Sequence, residues 1–212
     1  SPAAPGPLGR GPWGPSALWP PGIPRGDPPG IPGTPPGTPG VKKSDFYKKT
    51  IFVGQSVSYS GNAIFNTLSH ISKSKKIELP VFEEVQLGLS TGLALNGFIP
   101  VTCFPRFDFL ILAMNQLVNH LDKMRSLSNN SFKPRVIIRT SIGSKKPLNG
   151  GVQHTQDYTK IFKNILTEIN VVSLKNPKDI FKEFKFALNR KDSKSTLLIE
   201  NGDYYNSKWL TI

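Results

Sequence analysis

The sequence of 212 residues is poor in cysteine, methionine and histidine, with one, two and three of each. The single cysteine, Cys103, cannot form a disulfide within the chain, so a fold held by internal disulfides is excluded. Its neighbours Thr102 and Phe104 favour a buried strand residue over a reactive thiol. No apolar run reaches the roughly 20 residues that a membrane-spanning helix needs. These absences indicate a domain that is stabilised by an ordinary hydrophobic core.

Acidic residues are also scarce, since 14 Asp and Glu stand against 27 Lys and Arg and leave a net charge of +13. Basic clusters such as "SKSKK" (72–76) raise the hypothesis of a nucleic-acid binder. However, the lysines are spread over many segments, and no recognised nucleic-acid module is present. We therefore expect a solvated lysine-rich surface and no nucleic-acid partner, with attraction to an acidic partner as an open alternative.

Residues 1–42 are dominated by proline and glycine and have no aliphatic periodicity. The glycines of "GDPPGIPGTPPGTPG" (26–40) break the strict three-residue repeat that a collagen triple helix needs. Such a segment cannot bury enough apolar surface to offset its ordering entropy. We therefore expect a disordered, polyproline-like tail.

Deleting residues 1–42 is expected to leave the thermal stability unchanged, because a tail without a core contributes no packing. Thermal unfolding of the full and truncated chains, followed by circular dichroism, measures this. A fall in Tm of about 4 °C or more corresponds to roughly 1 kcal/mol in a domain of this size and would show that the tail packs on the domain.

From residue 43 the pattern alternates between short apolar runs and helical spacing. It predicts strands at 50–54, 76–80, 99–104, 135–141, 170–174 and 195–200, and helices at 61–71, 83–96, 107–123, 156–166 and 177–189. Alternating strands and helices predict an α/β domain over 43–205, with a mostly parallel sheet covered on both faces. Residues 206–212 are expected to begin a linker or a truncated C-terminus. In this architecture ligands bind beyond the carboxyl ends of the strands.

The stretch "PVFEEVQLGLSTGLALNGFIP" (80–100) places two glutamates at the start of a predicted helix. A carboxylate is favoured there by the helix dipole, although the pair could equally decorate a surface. Gly88 and Gly92 each weaken the helix by about 1 kcal/mol relative to alanine. They are four residues apart and so share one face, which favours close packing against a partner.

Four motifs in order resemble the pyrimidine-binding domain of transketolase-type thiamine-diphosphate enzymes. They are "LPVFEEVQLGLSTGLALNGFIPV", "FDFLILAMNQLVNHLDK", "VIIRTSIG" and "GGVQHTQ". The sequence is most similar to the beta subunit of the decarboxylase component of 2-oxo acid dehydrogenases. The resemblance runs from about Lys49 to Tyr205 and implies a thiamine-diphosphate-binding fold.

The resemblance implies roles for three residues. Alignment through "P-x-x-E" places the activating glutamate at Glu83 rather than Glu84, where it hydrogen-bonds a ring nitrogen of the aminopyrimidine and promotes proton loss from the thiazolium carbon. The "F-x-F" motif places the aromatic ring that stacks on the aminopyrimidine at Phe109. The family's active-site histidine, which contacts the substrate, falls on His154. The residues alone allow plainer interpretations: a core position for Phe109 and a surface position for His154.

The resemblance further implies thiamine diphosphate as cofactor, with its Mg²⁺ held by a partner chain and no metal ligands in this chain. The family's Gly-Asp-Gly motif is absent, and "NGDYYN" (201–206) lacks the second glycine. The implied partners are an alpha-type subunit with the diphosphate-binding domain, a second copy of this chain in a heterotetramer, and a lipoyl-bearing acyltransferase. The implied location is the cytoplasm, or the mitochondrial matrix or plastid in a eukaryote, with no membrane contact.

Two functions are compatible with this reading. The chain is either a catalytic beta-type subunit for decarboxylation and acyl transfer, or a non-catalytic assembly or regulatory protein that retains the fold. A pure scaffold needs none of Glu83, Phe109 and His154, so their joint presence favours the enzyme subunit.

Overall fold

A computed structural model describes residues 49–60, 62–146 and 148–205. The predicted tail (1–42) and the segment 206–212 lie outside the described residues. Within the described part, no helix is long and apolar enough to cross a membrane. The described ranges contain the α/β part of the sequence, with every strand that the pattern predicts.

Six parallel strands form one sheet in the order β2-β1-β3-β4-β6-β5. They are β1 (Thr50–Gly54), β2 (Lys76–Glu78), β3 (Ile99–Phe104), β4 (Ile137–Ile142), β5 (Asn170–Ser173) and β6 (Thr196–Asn201). The central strands are short apolar runs without alternation, as a sheet covered on both faces requires. The predicted fold class is confirmed.

Six α-helices connect the strands in the described part. They are α1 (Ala63–Leu68), α2 (Glu83–Leu95), α3 (Phe107–Leu110), α4 (Met124–Leu127), α5 (Thr159–Ile165) and α6 (Pro177–Asn189). The helix predicted at 61–71 is shorter because Asn62 caps it: the side-chain oxygen accepts a hydrogen bond from the Phe65 backbone N–H at 2.9 Å. At α6 a proline occupies the first turn, where its missing N–H costs nothing.

The long helix predicted at 107–123 is present as a composite of different helical turns. Between α3 and α4 lie a 3₁₀ turn (Ile111–Ala113) and a π-helix (Asn115–Leu121). We call residues 107–127 the composite helix. Its apolar face is buried, with Leu110, Leu117 and Leu121 at the centre.

Helices cover both faces of the sheet and create two separate cores. One core packs α2, α5 and the composite helix against the sheet. The other packs α1 and α6 against the opposite face. Consecutive strand residues alternate between the two, so that Ile138 lies in the first core and Ile137 in the second. Cys103 lies fully buried in β3, as predicted, and burial raises the pKa of its thiol to about 12.

A buried ion pair joins Arg139, in the middle of β4, to Glu200 near the carboxyl end of β6. Arg139 Nε and Nη2 donate to the two carboxylate oxygens of Glu200 at 2.6 and 3.0 Å. Burial by itself lowers the pKa of Arg139, but the Glu200 carboxylate outweighs it and raises the pKa. The pair thereby links the two strands just before the loop that follows β4.

Candidate functional site

The sheet order has a switch point between the carboxyl ends of β1 and β3. After β1 the chain turns to β2 on one side, whereas after β3 it turns to β4 on the other. In open α/β sheets this change of direction is where ligands bind. Glu83 begins α2, which follows β2, and Phe109 lies in α3, which follows β3. His154 lies in the loop after β4, so the three predicted residues follow the carboxyl ends of three strands.

Glu83 is buried at the start of α2, with only 4% of its surface exposed. Its Oε1 accepts a hydrogen bond of 3.1 Å from the side-chain amide of Gln55, which directly follows β1. No other described residue donates a hydrogen bond to this carboxylate. The second oxygen, Oε2, therefore has no donor among the described residues.

Glu84 has a different environment. It is half-buried, and its Oε1 accepts a hydrogen bond from Asn115 Nδ2 of the composite helix at 3.0 Å. The two neighbouring carboxylates therefore make separate contacts. Glu83 faces the end of β1, whereas Glu84 joins α2 to the composite helix.

Gln86, one turn into α2, locks the helix to the end of β3. It is fully buried, and its Nε2 donates to Thr102 Oγ1 at 2.9 Å and to the Cys103 carbonyl at 3.0 Å. This anchoring holds the first turn of α2, and with it Glu83, against the sheet. Gln86 was not among the predicted site residues, although its place three positions after Glu83 in an apolar helix could have indicated a supporting role.

Phe109 and His154 are in direct contact. Their ring centroids are 5.4 Å apart with an angle of 84° between the planes, an edge-to-face arrangement. Both side chains are half-buried. Phe109 is therefore not fully enclosed in a core, and the Phe109 ring partly covers His154.

Two further residues hold the His154 loop in place. Asp108, beside Phe109, is buried and accepts a hydrogen bond from the Gln156 backbone N–H at 3.3 Å through Oδ1. Gly143, after β4, lies so close to the loop that an added Cβ would come within 1.8 Å of the His154 carbonyl oxygen. The sequence analysis missed both roles, because neither contact is local in the chain.

Substituting Gly143→Ala is expected to destabilise the chain by about 1–3 kcal/mol, because the His154 loop must move to admit the methyl group. Urea unfolding gives the stability, and imidazole NMR signals report on His154. Gly92→Ala is the matched control, since an added Cβ there meets nothing within 4 Å. It replaces a helix-interior glycine and should stabilise by about 0.5–1 kcal/mol. Equal stability changes in the two variants would contradict the close approach at Gly143.

The described residues contain no group of three or more His, Cys, Asp or Glu side chains that could hold a metal ion. No contact in the described part joins Glu83 to the Phe109–His154 pair; the two lie at the same sheet edge, beyond different strands. The geometry thus provides a buried carboxylate at the start of α2 and, beyond other strands of the same sheet, a half-buried aromatic ring in contact with a histidine.

Comparison with known proteins finds relatives of similar kind. The chain is 25% identical over 164 residues to the pyruvate dehydrogenase E1 component subunit beta of Chlorokybus atmophyticus, covering 76% of this chain and 48% of that protein. It is 24% identical over 119 residues to the 2-oxoisovalerate dehydrogenase subunit beta of Bacillus subtilis, covering 55% and 36%. The chain has the transketolase-type pyrimidine-domain fold and is related to these beta subunits. No protein-family model matches the sequence.

A solved structure supports the fold. A split-gene transketolase, described as an inactive beta4 tetramer, aligns with a TM-score of 0.50 and 14% identity over 74% of this chain and 47% of that one. The predicted resemblance to the transketolase-type beta subunits is confirmed. The chain spans about half the length of the curated relatives named here, or less.

Proposed function

We propose that the chain is the beta-type subunit of a thiamine-diphosphate-dependent 2-oxo acid dehydrogenase or a transketolase-like enzyme. The observation that carries the proposal is Glu83, a buried carboxylate near the switch point, with one oxygen held by Gln55 and no donor to the other among the described residues. The relationship to pyruvate and 2-oxoisovalerate dehydrogenase beta subunits supports the reaction class. When bound, the cofactor supplies the electron sink for decarboxylation of the substrate.

The described residues fit the aminopyrimidine half of that cofactor. Glu83 Oε2 would accept or share the proton at a ring nitrogen, in a site from which burial excludes water. Phe109 would pack against the ring, and its contact with His154 would hold the imidazole beside the reacting centre. His154 would bind and orient the substrate there. The diphosphate and its Mg²⁺ need oxygen ligands in octahedral geometry, which we assign to a partner chain.

An apolar rim beside Glu83 supports an alpha-type partner. The rim consists of exposed side chains on and before α2 and in the composite helix: Val81, Phe82, Val85, Leu89, Ile111 and Leu112. Contiguous exposed apolar surface of this kind marks a protein interface. On α2, a Cβ added at Gly88 would meet only the side chain of Gln116 among the described residues, and one added at Gly92 would meet nothing within 4 Å. We propose that the alpha-type chain covers the rim and that a second copy of this chain completes the assembly.

A reconstitution assay tests the function. The full chain, an alpha-type partner, thiamine diphosphate and Mg²⁺ are combined with pyruvate, branched 2-oxo acids or a ketose phosphate, and loss of CO₂ or acyl transfer is measured. Turnover that requires both chains is expected. An assembled complex that binds cofactor but turns over no substrate would favour the alternative, a non-catalytic assembly or regulatory protein.

A further inference from the structure

The hydrogen bond between Gln55 and Glu83 joins two buried side chains that are 28 residues apart in sequence. Gln55 is 9% exposed and Glu83 is 4% exposed, so bulk water competes little for either group. A glutamine amide donates at any pH, because it has no proton to lose in the ordinary range. The contact therefore keeps Oε1 of Glu83 occupied under all working conditions.

The turn that carries Gln55 is pinned by a second carboxylate. Glu78, the last residue of β2, accepts hydrogen bonds from the backbone N–H groups of Ser56 at 2.6 Å and Ser58 at 2.7 Å. Ser56 is held in the left-handed region with φ of 60°, which an L-residue adopts only at an energetic cost. The hydrogen bonds that these N–H groups donate to the Glu78 carboxylate offset that cost and fix the backbone directly after Gln55.

The backbone directly before Gln55 is fixed as well. Gly54 has φ of 149°, and an added Cβ would lie 2.3 Å from the Cys103 carbonyl oxygen of β3. Gly54, before Gln55, therefore lies close against β3, and the turn after Gln55 is held by Glu78 of β2. Strain and close packing of this kind are found where the structure holds a functional side chain in one orientation.

We propose that Gln55 is a positioning residue for Glu83. It binds Oε1, fixes the plane of the carboxylate, and leaves Oε2 as the oxygen that meets the ring nitrogen of the aminopyrimidine. This inference rests on the proposed function of the same site. In this role Gln55 orients the Glu83 carboxylate through one hydrogen bond and does not itself contact cofactor or substrate.

The test compares Gln55→Met, Glu83→Gln and the double variant in the complex with the alpha-type partner. Methionine has a similar length and no donor. Proton–deuterium exchange at the thiazolium carbon of bound cofactor is expected to slow about 10- to 100-fold in Gln55→Met, as for other residues that orient an active group. The dissociation constant for thiamine diphosphate should change by less than about threefold, since the partner holds the charged end. The double variant should be no slower than Glu83→Gln alone.

The outcomes distinguish the proposed function of the site from the positioning role of Gln55. Normal exchange in Glu83→Gln would overturn the proposed function itself. Slow exchange in Glu83→Gln together with normal exchange in Gln55→Met would overturn the positioning role alone, as would independent effects that multiply in the double variant. One measurement needs no variant to fold: the side-chain amide protons of Gln55 in the full wild-type chain should exchange slowly with solvent in ¹⁵N-resolved NMR. Exchange as fast as in free glutamine would overturn the proposal.

Discussion

Replacing Glu83 by glutamine is expected to slow proton–deuterium exchange at the thiazolium carbon of bound cofactor by about 100-fold or more. A positioned acid or base contributes about 10²- to 10⁴-fold to such a proton transfer, and an amide cannot take or give that proton. The substitution conserves size and leaves an oxygen for Gln55, so the fold should be preserved. NMR of the thiazolium proton after transfer of the complex to D₂O gives the rate.

Glu84→Gln is the matched control for this experiment, because it makes the same chemical change one residue further along the helix. Glu84 contacts Asn115 rather than the end of β1, and it is half-buried. Loss of one such contact typically changes a free energy by about 0.5 kcal/mol, so exchange should stay within about threefold of wild type. Equal exchange rates in Glu83→Gln and wild type would reject the assignment of Glu83.

Thiamine diphosphate should bind the isolated chain no more tightly than about millimolar. One carboxylate contact and one aromatic face contribute roughly a few kcal/mol together, and about 4 kcal/mol corresponds to a millimolar dissociation constant. The charged diphosphate and its divalent ion carry most of the remaining affinity in the proposed complex. The described residues hold no cluster of three or more candidate metal ligands.

Calorimetric titration with cofactor and Mg²⁺, run with and without the alpha-type partner, measures that difference. The partner should lower the dissociation constant by about 100-fold or more, equivalent to roughly 3 kcal/mol. Micromolar binding by the purified chain alone would contradict the division of the site between two chains. It would imply a diphosphate site within this chain.

The sheet and its helices could be predicted from the sequence, because each strand is an apolar run bounded by glycine, proline or polar residues. The turns within the composite helix could not. Leu110, Leu117 and Leu121 keep a helical spacing whether the intervening turns are α, 3₁₀ or π, so the apolar pattern carries no signal for the difference. The start of α1 depends on local capping by Asn62, which the spacing of apolar residues also does not report.

Contacts between distant segments were likewise beyond the sequence. Asp122 accepts hydrogen bonds from the backbone N–H groups of Thr167, Glu168 and Ile169. Burial would raise the pKa of this carboxyl, but the Lys123 ammonium and these backbone donors outweigh it and lower the pKa. Such partners are set by the packing of the composite helix on the loop before β5, and no pattern along the chain encodes them.

The candidate site shows the same division. Motif order pointed to Glu83, Phe109 and His154, whereas the residues that support them are found only in three dimensions. Gln55 meets Glu83 because β1 and α2 pack together, and Asp108 meets Gln156 because the loop after β4 folds back over α3. A polar residue directly after an apolar strand, as Gln55 is, was an available signal for this position.

The central claim is that an alpha-type chain covers the apolar rim and completes the site. Affinity purification of the full chain from its native source, followed by mass spectrometry, tests it most directly. The expected result is recovery of a subunit that carries a Gly-Asp-Gly motif with a downstream Asn. Val85→Glu, within the rim, should abolish this recovery, whereas Phe186→Glu, an equally exposed apolar position on α6, should not. Recovery of the chain without such a subunit, or equal recovery with both variants, would contradict the account.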